Sequence, residues 1–217
     1  MTYSISARCP ETGAFGIAIT SSSIAVPARC AWVGPLGLVV SQNVTDPSLG
    51  PSGLALLRQG LGAGAVLNNL TLGTPQPAWR QVGVIDRYGQ VAWHSGTHAL
   101  PIVGIAQGAG CLAMGNLLVD EKVPDVMLAK FEATSGQPLA ERLMSALEAG
   151  LDAGGETDDE HAAGLHVADR FDWPVIDLRV DWHDAPIREL RALWERYRPQ
   201  QKDYVARAMN PGAAPSF

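Results

Sequence analysis

The second residue of the sequence, Thr2, is placed where a side chain could act as a nucleophile. A threonine hydroxyl is a weak nucleophile and needs a neighbouring base to take its proton. The α-amino group of a chain terminus, with a reference pKa of about 7.7 to 8.0, supplies such a base within the same residue. Removal of Met1 would give Thr2 that amine, and methionine aminopeptidases act before small second residues such as threonine. Many proteins begin with Met-Thr for no catalytic reason, so the rest of the chain has to support this interpretation.

The other reactive side chains do not form a recognised motif. No phosphate-binding loop and no GxSxG sequence occur, and the GLGAG stretch at 60–64 does not follow a predicted strand. One segment gathers residue types that bind metals: Asp158, Asp159, Glu160, His161, His166. A run of acids close to Gly154 and Gly155 is typical of a solvated loop, so we expect no metal and no cofactor.

The elements that would position Thr2 are strands. Apolar residues alternate with polar ones from Thr2 to Arg8, and this period of two predicts a strand that starts at the second residue. A turn containing Pro and Gly follows, and the next predicted strand ends in three serines at 21–23. A third strand, LGLVV, is apolar through Val40 and then becomes polar. Polar side chains therefore gather where these strands end.

Helices follow the first strands. Leu54, Leu57 and Leu61 recur at helical spacing after Ser52, a candidate N-cap, and the glycines at 60–64 would break this segment in two. Two more helices, further strands and a final amphipathic helix complete the predicted order. Because strands and helices do not alternate one by one, a doubly wound parallel sheet is disfavoured. The order favours an α+β fold in which antiparallel sheets carry helices on their outer sides.

The bulk composition is typical of one globular domain in a reducing compartment. The 217 residues are 47% hydrophobic and 18% charged, which is sufficient for a core without crosslinks. The three cysteines show no CxxC spacing, and no leader or membrane span is found, so we expect a cytoplasmic protein. A net charge of −6 without a basic run argues against nucleic-acid and membrane partners.

The end of the chain differs from the rest. We expect one domain over residues 1–200 and a tail over residues 201–217 that is loose or forms an arm on a neighbouring subunit. The last predicted helix carries Trp194 and Tyr197. These aromatic side chains suit either a two-fold contact in a homodimer or the covering of the domain's own sheet.

Six stretches of the chain occur in one order: TYSISARCPETGAFGIAITSS, SQNVTDPSLGPSGLALLRQG, GVIDRYGQVAWHSG, GAGCLAMGNLL, LAERLMSALEAGLDAGG and VIDLRVDWHDAPIREL. Together they resemble the bacterial domain-of-unknown-function family numbered 1028, over about residues 2–198. The resemblance implies a four-layer αββα sandwich of two antiparallel sheets, and a place among the N-terminal-nucleophile (Ntn) hydrolases. It also implies hydrolysis of a small amide or peptide-like bond.

The resemblance implies roles for particular residues. Thr2 would attack through its hydroxyl with its own amine as base, and Asn116 would donate to the developing oxyanion. Side chains at neighbouring strand ends and in the adjoining loop would bind substrate or tune the pKa of the amine. These expected substrate-binding residues are Ser21, Ser22, Ser23, Ser41, Gln42, Thr45, Asp46.

Two further functions are compatible with the same fold. Archaeal inosinate cyclohydrolase resembles this superfamily without using an N-terminal nucleophile, so the chain could be an enzyme of that kind. It could also be a non-catalytic ligand-binding module. Turnover by a Thr2→Ala chain would favour the first alternative, and ligand binding without product would favour the second.

Overall fold

Within residues 1–215, the part of the chain that the computed structural model describes, ten strands form two antiparallel sheets. The strands are β1 (Thr2–Arg8), β2 (Phe15–Ser21), β3 (Ala31–Gly34), β4 (Gly37–Asn43), β5 (Arg80–Asp86), β6 (Val91–Ser95), β7 (Gly104–Gly108), β8 (Cys111–Asn116), β9 (Ala162–Ala168) and β10 (Pro174–Val180). The large sheet has the order β10-β9-β2-β1-β8-β7, and the small sheet has the order β3-β4-β5-β6. Thr2 therefore opens a strand in the middle of the large sheet.

The helices lie outside the two sheets, except the first, which packs with the residues between them. They are α1 (Val26–Cys30), α2 (Leu49–Arg58), α3 (Ala63–Gly73), α4 (Val123–Ala133), α5 (Leu139–Asp152), α6 (Pro186–Tyr197) and α7 (Gln201–Met209). Helices α4, α5 and α6 pack on the large sheet, and α2 and α3 pack on the small sheet. None of the helices within residues 1–215 is long and apolar enough to cross a bilayer.

Side-chain alternation along the strands builds three apolar layers. Ile5 of β1 packs with the residues of α4 and α5, outside the large sheet. Phe15 of β2 packs with Leu38 of β4, between the two sheets. Val82 of β5 packs with Val66 of α3, outside the small sheet. Helices, large sheet, small sheet and helices thus follow one another, and the predicted four-layer αββα sandwich is confirmed.

The start of α2 differs from the prediction. The helix begins at Leu49 rather than after Ser52. The carboxylate of Asp46 accepts the backbone N–H of Ser48 at 3.0 Å and its hydroxyl at 2.6 Å, and these bonds turn the chain before the expected cap is reached. The break predicted near the glycines at 60–64 is confirmed, because α2 ends at Arg58 and α3 begins at Ala63.

Helix α6 covers the large sheet. Trp194 is 2% exposed, and its Nε1 donates to Glu141 Oε2 at 2.8 Å. The Tyr197 hydroxyl donates to the Val175 carbonyl, also at 2.8 Å. Both aromatic side chains thus form hydrogen bonds within their own subunit. A homodimer stays a prediction. The predicted tail contains α7, and its last two residues, 216 and 217, lie outside the described residues.

Candidate active site

Strand register brings Thr2 next to residues of two neighbouring strands. In the pairing of β1 with β8, Thr2 lies opposite Asn116. In the pairing of β1 with β2, Tyr3 lies opposite Thr20, so Ser21 lies beside Thr2. Thr2 is only 3% exposed in the presence of Met1. The predicted nucleophile, the first serine of 21–23 and the predicted oxyanion donor are therefore adjacent.

The hydroxyls of Thr2 and Ser21 contact the same carbonyl group. Thr2 Oγ1 and Ser21 Oγ both donate to the carbonyl oxygen of Met1. The two hydroxyl oxygens lie 3.4 Å apart, and the backbone N–H of Ser23 donates to Ser21 Oγ at 3.0 Å. The arrangement can therefore hold a carbonyl group beside two hydroxyls, one of which belongs to Thr2.

A buried carboxyl, Glu156, lies next to this group. It follows α5 and is 5% exposed, and its Oε2 accepts the backbone N–H of Ser22 at 3.1 Å. Within residues 1–215, its Oε1 has no hydrogen-bond partner. Burial raises the pKa of Glu156 to about 8, although the Ser22 N–H and the positive charge of the Met1 amine act in the opposite direction. Glu156 is therefore a carboxyl that can hold a proton near neutral pH.

Sequence reasoning missed Glu156. It lies just before Asp158 and Asp159, which are exposed, and the whole segment reads as a solvated loop. The backbone explains the difference: Gly155 has φ +58°, and a Cβ there would lie 2.2 Å from Glu160 Oε1. This tight glycine turn directs Glu156 inward. The pair Gly154-Gly155 is the available signal, and in the sequence it indicates only the end of a helix.

Amide side chains connect the two sheets below Thr2. Gln42 of β4 accepts a hydrogen bond from Ser4 Oγ at 2.8 Å. Its Nε2 donates to Gln81 Oε1 at 2.7 Å and to the Met114 carbonyl at 3.1 Å. Because backbone carbonyls only accept, these bonds also fix which way each amide points. Gln42 therefore fixes the two sheets relative to each other next to Thr2. Gln81, which sequence reasoning did not single out, belongs to the same hydrogen-bond network.

Asn116 joins this amide network to Thr2. Its Nδ2 donates to Gln81 Oε1 at 3.1 Å and to the Thr2 carbonyl at 3.4 Å. Its Oδ1 is buried and has no donor within residues 1–215. The amide nitrogen of Asn116 thus donates one hydrogen bond of ordinary length to Gln81 and one long hydrogen bond to Thr2. Its amide oxygen accepts none within residues 1–215. The long bond to Thr2 is the contact that Asn116 could exchange for one with a ligand.

The other predicted substrate-binding residues form a separate hydrogen-bonded group. Ser41 Oγ lies 3.0 Å from Thr45 Oγ1, and Asp46 Oδ2 accepts from Thr74 Oγ1 at 3.1 Å. No hydrogen bond within residues 1–215 joins Ser41, Thr45 or Asp46 to Thr2. Strand alternation gives the reason for Ser41, because consecutive residues of a strand point to opposite faces and its neighbour Gln42 faces the large sheet. Their role in substrate binding stays a prediction.

A cavity of about 560 Å³ opens beside the first residue. It is lined by Met1, Ser22, Thr157, Asp158, Asp159 and His161. The backbone N–H of His161 donates to the Ser21 carbonyl at 2.9 Å, so this wall of the cavity is tied to the end of β2. The ring of His161 stacks on Trp182 with 4.2 Å between centroids. Thr2 and Ser21 do not line the cavity, and Met1 lies between its interior and their hydroxyls.

The side chains near the cavity do not form a metal centre. Among residues 1–215, no group of three or more His, Cys, Asp or Glu side chains is arranged to hold a metal ion. The exposed acids Asp158 and Asp159 form part of the cavity wall. The chemistry available here is that of hydroxyls, carboxyls and amides.

Comparison with known proteins identifies the family. The crystal structure of protein SPO2555 from Silicibacter pomeroyi is similar to this chain, with 31% sequence identity and a TM-score of 0.82. The similarity covers 90% of this chain and 88% of that one, which is described by the family model DUF1028. No curated protein matches. The model of the family of unknown function DUF1028 matches residues 2–190. The chain belongs to the DUF1028 family.

Proposed function

We propose that the protein is an Ntn-type amidohydrolase that cleaves a small amide or peptide-like bond, with Thr2 as nucleophile after removal of Met1. One observation carries the proposal: Thr2 Oγ1 and Ser21 Oγ both donate to the Met1 carbonyl beside a cavity of about 560 Å³. The carbonyl of a substrate could take the same place. The position of Thr2 at the start of a central strand holds the hydroxyl rigidly, as such chemistry needs.

The proposed reaction has two steps. In the first, the α-amine of Thr2 takes the hydroxyl proton while Oγ1 attacks the substrate carbonyl carbon. The carbon–nitrogen bond of the amide then breaks, and the proton passes to the leaving nitrogen. In the second step, water attacks the resulting ester with the same amine as base. The acid product leaves, and Thr2 regains its hydroxyl proton.

Ser21 and Asn116 would assist the attack. The Ser21 hydroxyl would hold the carbonyl oxygen, because it already donates to the Met1 carbonyl. Asn116 Nδ2 would exchange its 3.4 Å bond to the Thr2 carbonyl for a bond to the developing oxyanion. One such donor is typically worth about 2.7 to 4 kcal/mol in the transition state. Asn116→Leu would therefore slow turnover by about two to three orders of magnitude.

Covalent labelling tests the proposal without knowledge of the substrate. An epoxyketone derived from methionine reacts fully only with a hydroxyl and an amine on adjacent carbons. Its free-amine and N-acetylated forms are both applied to a chain that begins at Thr2. We expect the adduct to map to Thr2 by mass spectrometry of proteolytic fragments. Thr2→Ser should retain labelling, whereas Thr2→Ala and a chain that keeps Met1 should lose it.

Two results would contradict the proposal. One is the absence of any adduct on a folded chain whose Thr2 terminus has been verified by mass. The other is amide turnover by a folded Thr2→Ala chain, which would assign the chemistry to residues other than Thr2.

A further inference from the structure

The first residue is held by its carbonyl and its side chain. Its carbonyl accepts from the Thr2 and Ser21 hydroxyls. Its sulfur lies 3.8 Å from Thr157 Oγ1, on the wall of the cavity. The positive charge of its amine acts to lower the pKa of Glu156, although the two groups form no ion pair. The carbonyl and the side chain of Met1 are therefore bound as those of a ligand would be, and its ammonium group lies in the field of a buried carboxyl.

The position of Met1 corresponds to that of an acyl group on Thr2. At present the methionyl group is attached to the nitrogen of Thr2. In the proposed reaction, an acyl group would be attached to Oγ1 of the same residue, which already contacts the Met1 carbonyl. The two attachment points are separated by two carbon atoms, so a methionyl group on either one fits much the same space. The contacts of Met1 therefore describe the acyl half of a substrate.

Glu156 is the residue in this space that would recognise a positive charge. It is buried, with one oxygen bound to the Ser22 N–H and the other without a partner within residues 1–215. In the same part of the chain, no Arg or Lys side chain forms an ion pair with it. Ser22, whose N–H binds one oxygen of Glu156, lines the cavity, so the carboxyl lies behind the part of the wall that Ser22 forms. An unpaired buried carboxyl of this kind needs a cationic or hydrogen-donating partner.

The outer part of the cavity also favours positively charged ligands. Asp158 and Asp159 line it and are exposed, and no Lys or Arg side chain of residues 1–215 is among its lining residues. The negative charge of these carboxylates favours cations that approach the cavity. A ligand that carries a negative charge next to its carbonyl would meet three carboxyls and no counter-charge.

We propose that the substrate is an α-amino amide, whose free ammonium group lies next to the scissile carbonyl, and that Glu156 determines this specificity. The inference rests on the proposed function for the identity of the bond that is cleaved. The ammonium of the substrate would reach the unpartnered Oε1 of Glu156, which the Met1 amine does not contact, and the carbonyl would meet Thr2 and Ser21. Charge-assisted hydrogen bonds of this kind correspond to a preference of about 10-fold to 100-fold over a neutral analogue.

Calorimetry with two probes tests the inference. The protein is a Thr2→Ala chain from which Met1 has been removed, which binds but cannot form an ester. The probes are L-methioninamide and N-acetyl-L-methioninamide, which share the side chain and differ in the ammonium group. We expect L-methioninamide to bind at least about ten times more tightly at about pH 7. Because burial raises the pKa of Glu156 to about 8, the ammonium would displace the Glu156 proton to the buffer as it binds. In the same background, Glu156→Gln should reduce the ratio to about one, because Gln keeps the Ser22 contact and cannot become a carboxylate.

Two further variants serve as controls. Glu189→Gln makes the same chemical change on the exposed face of α6 and should keep the full preference. Glu156→Asp keeps an ionisable carboxyl on a shorter side chain and should retain part of the preference. Because it retains the carboxyl, this variant also reports on Glu156 if the Gln variant does not fold.

The inference is overturned by equal or tighter binding of the acetylated probe. It is also overturned if neither probe binds at millimolar concentration, or if Glu156→Gln keeps the tenfold ratio. These outcomes are separate from the labelling of Thr2. A chain that is labelled at Thr2 without preferring L-methioninamide would keep the proposed function and lose the inference. A chain with the preference but no labelling would lose the proposed function.

Discussion

At the scale of single residues, the environment decides the chemistry more than the residue type does. Ser21 and Ser23 belong to one run of serines, yet Ser21 is buried against Thr2 and Ser23 is exposed. Glu156 is likewise two residues from the exposed Asp158, and it is nearly inaccessible to solvent. Burial raises the pKa of Glu156 to about 8, because a charge in a low-dielectric interior is costly. That carboxyl makes stability depend on pH.

We expect the free energy of unfolding to fall as pH rises from about 5 to about 8. In this range the folded chain keeps the proton of Glu156, and the unfolded chain releases it, so raising the pH favours unfolding. The contribution of Glu156 approaches about 1.4 kcal/mol per pH unit. Glu156→Gln should remove it, so that the variant gains stability relative to wild type as pH rises. Urea unfolding at several pH values measures the difference.

The control for this experiment is Glu189→Gln, whose side chain is exposed. Its stability should follow that of wild type at every pH. If the difference between Glu156→Gln and wild type stays constant from about pH 5 to about pH 8, Glu156 titrates as an ordinary surface carboxyl and the burial argument is wrong.

At the scale of elements, the site depends on how strands from both sheets meet. Strand β1 supplies Thr2, and its neighbours β2 and β8 supply Ser21 and Asn116. The small sheet contributes Gln42 and Gln81, whose side chains bind carbonyls of β8 in the large sheet. A sandwich joined only by apolar contacts would leave the relative position of its sheets less specified, because such contacts are not directional. The helices outside then hold each sheet in place.

The packing of α2 on the small sheet can be tested by substitution of two glycines. A Cβ added at Gly50 of α2 would lie 2.0 Å from Cδ1 of Trp32 in β3, so the ring or the helix would have to move. We expect Gly50→Ala to cost about 1 to 3 kcal/mol of stability. Gly64 of α3 has nothing within 4 Å of the added Cβ, and Gly64→Ala should gain about 0.5 to 1 kcal/mol. Chemical denaturation midpoints measure both effects.

Equal stability of the two alanine variants would contradict this packing. It would mean that Trp32 does not lie against α2 in solution.

The sequence predicted the order of these elements better than their contacts. Period-two alternation and turn residues located β1, β2 and β4, and the absence of one-by-one alternation with helices indicated antiparallel sheets. The proximity of Thr2 to Ser21 followed from strand ends that lie side by side, whereas the role of Asn116 came from the family resemblance. Gln81 and Glu156 could not be found in this way, because their burial depends on which segment packs above them. Long-range contacts of that kind leave no periodic pattern in the sequence.

The separation of Ser41 from Gln42 has a different physical origin. Both were expected at one strand end, and a strand directs consecutive side chains to opposite faces. Only Gln42 bonds to the large sheet. The alternation of side chains could be predicted from the sequence. Which of the two faces of the strand meets the large sheet could not.

At the scale of the whole molecule, α6 completes the core and α7 adds to it from outside. Helix α6 buries Ile187, Leu190 and Trp194 against the large sheet. No residue of α7 is buried, although Val205 packs at the edge and Tyr204 stacks on Tyr197 at 5.6 Å. The two helices therefore contribute unequally to stability.

Two truncations test the predicted domain of residues 1–200. A chain that ends at Gln200 should fold cooperatively and lose about 1 kcal/mol, because it loses only partly exposed contacts. A chain that ends at Asp184 should not fold. Of the four buried residues it lacks, the three large apolar ones contribute about 1.5 to 3 kcal/mol each, a sum comparable with the stability of a typical domain. Thermal unfolding followed by circular dichroism, with gel filtration, separates these outcomes, and unfolding of the longer chain would place α7 inside the domain.

The contact between the Met1 carbonyl and the two hydroxyls has a practical consequence for anyone who prepares the protein. A tag or fusion partner joined ahead of Met1 would extend into the cavity that Met1 lines, and it would keep the methionyl group attached to Thr2. Such material could not show the activity proposed for Thr2, whatever its fold and purity. Tags belong at the other end of the chain, and a screen for turnover should begin with the mass of the first peptide.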